Sequence, residues 1–201
     1  MDVERNKKEF IALFNRIKRE GAAEFLEWLA STDFFTAPAS TRFHLCVEGG
    51  LVQHSLNVCS VLRDRLLSRY EETSILICAL LHDVCKANFY VADYRNKKVY
   101  SDKGTKQDKR GRFDWVEEES YRVEDQFPYG HGEKSGYLIS RYMKLTDEEA
   151  MAIRWHMGGF EDSKNQYAIS DAFMRYPLAL DLHIADMEAT YKLDPYEDMF
   201  S

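Results

Sequence analysis

The stretch Ile75-Leu76-Ile77-Cys78-Ala79-Leu80-Leu81-His82-Asp83-Val84-Cys85-Lys86 decides how this chain is read. An unbroken apolar run leads directly into an imidazole and a carboxylate. Burying such groups is costly unless something pairs with them. A divalent cation serves both, because histidine nitrogen and aspartate oxygen are good ligands for first-row metals. The run predicts a helix over 73–86. On that helix Lys86 stands four residues beyond His82 and shares its face.

Other segments supply further ligand types in similar settings. His54 lies in Gly49-Gly50-Leu51-Val52-Gln53-His54-Ser55, where a Gly-Gly break opens an amphipathic helix expected over 51–69. His131 is bracketed by Gly130 and Gly132, ahead of a helix over 133–143. His156 closes a helix over 147–157 just before Gly158-Gly159, and Thr146-Asp147-Glu148-Glu149 marks its start with a Thr cap and an acidic first turn. Asp186 falls within Leu182-His183-Ile184-Ala185-Asp186-Met187, inside a helix over 178–191. Any one of these residues has an ordinary explanation. A lone apolar-face histidine is usually a satisfied core residue, His131 reads equally as a loop histidine, and His156 could complement a helix dipole. The joint pattern of four histidines and two aspartates, in order on helix-like segments, carries the expectation of a metal site.

The order His54, His82-Asp83, His131, His156, Asp186 resembles the HD-domain metal-dependent phosphohydrolase superfamily, from about residue 43 to 191. The segments GGLVQHS, ALLHDVCK, GHGEKS, IRWHMG and LHIADMEA carry the resemblance. It implies an all-α helical bundle in which His54, His82, Asp83 and Asp186 hold a first metal. His131 and His156 match the extra histidines of members with a second metal, and Asp83 would bridge the two ions. Two such cations, roughly 3.5–4 Å apart, clamp a phosphate and bring bound water toward a pKa of about 7. Asp83 and Lys86 are the implied catalytic residues, with Lys86 contacting a phosphoryl oxygen or the leaving group. The chain departs from the frequent HD-x-G-K pattern at Cys85, where glycine is usual, which bears on local backbone packing. His183, three residues before Asp186, is a candidate to support a ligand from behind.

The chain of 201 residues fits one domain over 1–201 with room for a substantial core. Its formal net charge of −7 argues against a surface that coats long duplex nucleic acid. Cys46, Cys59, Cys78 and Cys85 show no CxxC spacing and read as reduced core residues of a cytoplasmic protein. The N-terminus lacks the apolar run of a signal peptide, and the longest apolar run, Ile75 to Leu81, is too short to span a bilayer.

Residues 1–42 read as a helical N-terminal extension, with helices over 4–19 and 22–30 and a loop over 31–41. Arg42 is a candidate phosphate contact. Residues 88–130 form an insertion or lid between the HD pair and His131. There Phe89 to Tyr100 alternates around Arg95-Asn96-Lys97 and reads as a hairpin, 113–123 is a candidate further strand, and 101–112 is a polar loop. Residues 86–112 hold nine Lys/Arg against three Asp/Glu, while 113–125 hold six acidic residues against Arg122. Two solvated strands pairing their charges explain this. The functional alternative is a lid whose lysines attract an anion and whose Tyr90, Tyr94, Tyr100 and Trp115 stack a base.

The expected function is hydrolysis of a phosphoester in a nucleotide, cyclic nucleotide or short oligonucleotide by metal-activated hydroxide. The cofactor is one or two divalent transition ions among Mn, Fe, Co, Ni and Zn. The segment GGLVQHS also resembles the HD domain of bacterial 3′–5′ exoribonucleases, which carry a separate RNA-binding fold for which this chain has no room. The phosphorylated partner is therefore expected to be small, and no membrane partner is expected. Two other functions use nearly the same residues: an HD-type di-iron oxygenase, and a non-catalytic nucleotide-binding module stabilised by metal.

Overall fold

The computed structural model describes residues 1–41, 45–66, 68–100 and 113–194. Arg42, His44 and the polar loop 101–112 lie outside the described residues. Eight α-helices are described: α1 Val3–Phe14, α2 Ala22–Ala30, α3 Gly50–Leu66, α4 Glu72–Leu81, α5 His131–Ser140, α6 Asp147–Trp155, α7 Gln166–Arg175 and α8 Pro177–Glu188. Two strands, β1 Tyr90–Tyr100 and β2 Phe113–Val123, form an antiparallel sheet between α4 and α5 in sequence. The described residues are thus mainly helical with one antiparallel strand pair, but the hairpin expected within 89–100 is not formed: Arg95-Asn96-Lys97, with no glycine to turn on, continues as mid-strand residues paired to Glu118, Glu117 and Val116.

α4 is central because it is apolar on every side, and Ile75 to Leu81 are all fully buried. It packs between α3, α6 and α1, while α8 lies against α3 and α6. Each Leu or Ile buried this way stabilises the fold by about 1.5–3 kcal/mol, enough to hold the polar residues at the helix end inside. α4 stops at Leu81, earlier than the sequence predicts, and His82 caps it. A separate 3-10 turn, Val84–Lys86, follows. Lys86 therefore meets Asp83 at the three-residue spacing of that tighter helix, instead of stacking on His82 one α-turn away.

α1 also ends early, at Phe14, and a short turn with Ile17 N–H bonded to Phe14 O keeps Ile17 in the core. Phe10, Phe14, Phe25 and Phe34 are fully buried and pack ring against ring within the N-terminal segment, and Phe25 and Trp28 both meet Tyr142, which joins that segment to the rest. An ion pair onto a fully buried glutamate makes a second join. Arg19 forks onto both Glu149 oxygens at 2.9 Å, and Glu149 also accepts from Ser74 Oγ at 2.7 Å and from the Thr146 backbone N–H at 2.8 Å. The capping box expected at Thr146 is present, and its glutamate doubles as this anchor.

α7 has no counterpart in the sequence reading. Among its residues only Ile169 and Ala172 are buried, and Tyr167 and Met174 are largely exposed. In the hairpin, β1 pairs with β2 from Tyr90↔Val123 to Tyr100↔Phe113. Arg95 Nε donates to Glu118 at 2.6 Å and Lys97 Nζ lies 3.4 Å from the same carboxylate. The segregated charges thus meet across the strands. Lys98 sits over the Phe113 and Trp115 rings at 4.3 and 5.0 Å. No helix among the described residues is long and apolar enough to cross a membrane.

Candidate metal centre

Five elements each deliver one or two polar groups to one interior point. His54 comes from the first half of α3, and His82 caps α4 with Asp83 next to it. His131 is the first residue of α5, His156 caps α6, and Asp186 lies in the last turn of α8. The glycines flanking His131 have separate jobs. Gly130 takes φ +93°, which turns the chain sharply into α5. At Gly132 a Cβ would lie 2.2 Å from the Arg154 carbonyl oxygen, so only glycine lets α5 approach α6 this closely.

The convergence is tight. His54 Nε2 lies 3.3 Å from His82 Nε2 and 3.1 Å from Asp186 Oδ1. Asp83 sits among the remaining groups: Oδ1 is 2.8 Å from His131 Nε2 and 3.4 Å from His156 Nε2, and Oδ2 is 2.6 Å from Lys86 Nζ. Oδ2 also lies 3.7 Å from His82 Nε2 and 3.9 Å from His54 Nε2. Three overlapping sets result, His54/His82/Asp186, His82/Asp83/His156 and Asp83/Cys85/His131, each with its ligand atoms within 4.8 Å of one another. All six sequence-predicted ligands are in this cluster, with Lys86 at its edge.

What lies behind the histidines explains their orientation. His82 Nδ1–H donates to the Ala79 carbonyl at 3.0 Å, and His156 Nδ1–H donates to the Ile153 carbonyl at 2.7 Å. Carbonyls only accept, so both rings carry their proton on Nδ1 and turn a bare Nε2 lone pair inward. His54 Nδ1 meets Asp194 Oδ2 at 2.8 Å, and Asn57 holds the other oxygen of Asp194 at 2.7 Å. The His156 carbonyl accepts from His183 Nδ1 at 2.7 Å, a contact to the backbone of that residue and not to its ring.

Lone pairs and carboxylates facing one another repel unless a cation lies between them. His156 Nε2 is fully buried with no hydrogen-bond partner among the described residues, and a buried orphan acceptor needs an explanation. The donor set, four imidazoles and two carboxylates, fits one or two divalent transition ions. The electrostatics differ from ligand to ligand. Burial alone would lower the pKa of His54, yet Asp186 and Asp194 outweigh it and push it up to about 10. His82, where burial prevails, is pushed down to about 4. Burial disfavours the Asp83 charge too, but Lys86, His82 and His131 hold its pKa well below the usual carboxylate range. Protons and metal ions compete for these same atoms.

Comparison with protein-family models, with curated proteins and with solved structures found no match to the chain.

The reading of the centre therefore rests on its own geometry and chemistry. Sequence reasoning missed Asp194, which follows the π-helical turn Ala189–Leu193 and is fully buried at the side chain. In sequence, Leu193-Asp194-Pro195 looks like an ordinary helix stop, so no local signal marks it. Asp194→Ala is expected to weaken binding of one ion by about 10–100-fold, the usual cost of losing a carboxylate behind a ligand histidine. Competition against a chelator measures this, and unchanged affinity would show that His54 orients itself without Asp194.

Proposed function

We propose that this chain is a metal-dependent phosphohydrolase of the HD type, acting on a phosphoester of a nucleotide, cyclic nucleotide or short oligonucleotide. The observation that carries the reading is the Lys86 ammonium, 2.6 Å from the central carboxylate of a six-ligand cluster. A fixed cation beside a cation-binding centre has an obvious use when the substrate is itself an anion.

His54, His82 and Asp186 would hold one ion, His131 and His156 a second, and Asp83 would serve both. Bound ions supply Lewis acidity: they acidify water and neutralise charge on phosphoryl oxygens. The residues of the chain do the rest. Asp83 stays ionised, and so keeps both oxygens available as ligands. Burial would lower the Lys86 pKa, but Asp83 raises it above the ordinary lysine value, so Lys86 keeps its charge throughout the neutral range. From there it can bind a non-bridging oxygen or steady a departing alkoxide. Tyr90 lies beside Lys86; burial pushes its phenol up to about 12, so it remains a neutral donor, bonded at 3.4 Å to the Ala39 carbonyl. Asp186 and His131 are the partly exposed ligands, at 18% and 29% of the side chain, and substrate would approach over them.

The test is a panel of phosphodiesters and phosphomonoesters offered to protein loaded with Mn or Fe, beside Lys86→Met. Wild type is expected to turn over one class. The variant is expected to keep its metal and lose about 10²-fold or more in kcat, about 2.7 kcal/mol of transition-state stabilisation. Full activity in Lys86→Met would remove lysine from the chemistry. Absence of turnover on every ester, with oxygen-dependent spectral change in the iron form, would favour an oxygenase.

A further inference from the structure

His131 is the more open of the two partly exposed ligands, at 29% of the side chain against 18% for Asp186, and it also lines a cavity outside the centre. The cavity measures about 380 Å³ and lies between the start of α5, Arg154 of α6 and the loop from Met157 to Asn165 that leads into α7. Small-ligand sites run from about 300 to 1,000 Å³, so it has room for one nucleoside and not for a chain of them. We propose that this cavity takes the nucleoside next to the phosphate bound at the centre, with the base stacked on Phe160 and an exocyclic amine of that base donating to Glu133. The inference rests on the reading above that the centre binds the phosphate of a nucleotide.

Three observations on the walls of the cavity support it. Phe160 ends the 3-10 turn Gly158–Phe160 that follows His156, and its N–H donates to the Met157 carbonyl at 3.0 Å, yet the residue is 62% exposed. A hydrogen-bonded turn thus presents a bare aromatic ring beside a metal ligand, a surface on which any base can stack. Arg154 is taken up with positioning. Its Nη1 donates to Glu161 Oε1 at 3.1 Å, its Nη2 meets Glu133 Oε1 at 2.5 Å, and the guanidinium lies 3.7 Å over the Trp155 ring. It fixes both carboxylates in the cavity wall. Glu161 has its second oxygen within 3.4 Å of Asn165 Nδ2, whereas Glu133 Oε2 accepts from none of the described residues. That oxygen lies against Gly130, where a Cβ would come within 2.6 Å of it, so glycine leaves it room on the cavity side of His131. An ionised carboxylate oxygen only accepts. The cavity therefore offers an aromatic face and an acceptor without a donor. A flat ring bearing N–H groups answers both, and adenine, guanine and cytosine each carry such a group as an exocyclic amine.

The experiment measures binding to the Mn-loaded protein of AMP and GMP, of purine riboside 5′-phosphate and IMP, which lack only the amine, and of ribose 5-phosphate, which lacks the base. Affinity is read as Kd, or as KM where an ester is turned over. In wild type, ribose 5-phosphate is expected to bind about 10-fold or more weakly than AMP or GMP, and loss of the amine should cost at least one of these two about 10-fold. Phe160→Ala should remove most of the advantage of the base and leave ribose 5-phosphate unchanged. Glu133→Gln should abolish the preference for the amine, because Arg154 keeps the amide oxygen and a donor then stands where Oε2 accepted. Phe160 and the Glu133 side chain are both exposed, so neither change opens a hole in the core. Equal affinity for ribose 5-phosphate and the nucleotides would overturn the inference. So would a Phe160→Ala that weakens every ligand alike, or an amine preference that survives Glu133→Gln. Base-dependent binding without turnover of any ester would support the subsite and count against hydrolysis, while a protein that binds none of these phosphates would overturn the subsite too.

Discussion

Replacing Asp83 with alanine is expected to remove metal from both positions and, with it, the proposed hydrolysis. Asp83 is the one group whose two oxygens reach both halves of the cluster, with Oδ1 toward His131 and His156 and Oδ2 toward Lys86, His82 and His54. Its loss takes a negative charge from a site that must balance divalent cations, and it frees Lys86 to repel them. At about 4 kcal/mol of lost stabilisation the rate falls by about 10³-fold. Asp83→Asn, with the same shape and no charge, separates charge from volume and should fail nearly as badly. Elemental analysis and turnover on one sample give the answer. A variant that stays active with its metal would refute the central role of this carboxylate.

The largest effect on stability is expected from Glu149→Ala. The glutamate is fully buried and takes hydrogen bonds from Arg19, Ser74 and the Thr146 backbone. Removing one partner of such a pair costs about 3–5 kcal/mol. At the low end this lowers Tm by about 6–12 °C in a chain of this size, with the N-terminal segment released first. The pH dependence has a definite sign. Burial raises the Glu149 pKa, but Arg19 with the Thr146 and Ser74 donors more than reverses this and depresses it. A carboxylate with a depressed folded pKa stabilises fully above its unfolded value, about 4.3. That contribution is lost as pH falls through the folded value. The Tm gap between wild type and Glu149→Gln should therefore be constant near neutrality and shrink in acid. A gap that widens in acid would mean that Arg19 is not its main partner.

Most of the helices could be read from sequence because their apolar residues recur at helical spacing, and strand character in 89–100 because its residues alternate, although the turn expected at Arg95-Asn96-Lys97 falls in mid-strand and the partner is 113–123. What could not be read depended on contacts distant in sequence. α7 has helical periodicity that the sequence reading passed over, and it buries only Ile169 and Ala172. The end of α4 at Leu81 escaped notice because Val84 and Cys85, which follow it, are as buried as the helix and extend its apolar run. At the centre, ligand types with small-residue breaks were visible as a pattern, so the six converging residues could be named in advance. The carboxylate behind His54 could not. Asp194 is 140 residues from His54. It has no local feature that announces its partner. The insert illustrates a different limit, since its charges suggested both a lid and a self-paired hairpin, and the Arg95–Glu118 pair accounts for part of them.

The most direct test of the centre is the metal content of protein purified without oxygen, by elemental mass spectrometry, with His54→Ala and His131→Ala measured beside it. The expected result is close to two transition ions per chain in wild type, one after loss of His131, and impaired binding after loss of His54. A wild-type chain that holds no transition metal, and takes up none when Mn or Fe is supplied, would contradict a metal centre built from these histidines and aspartates.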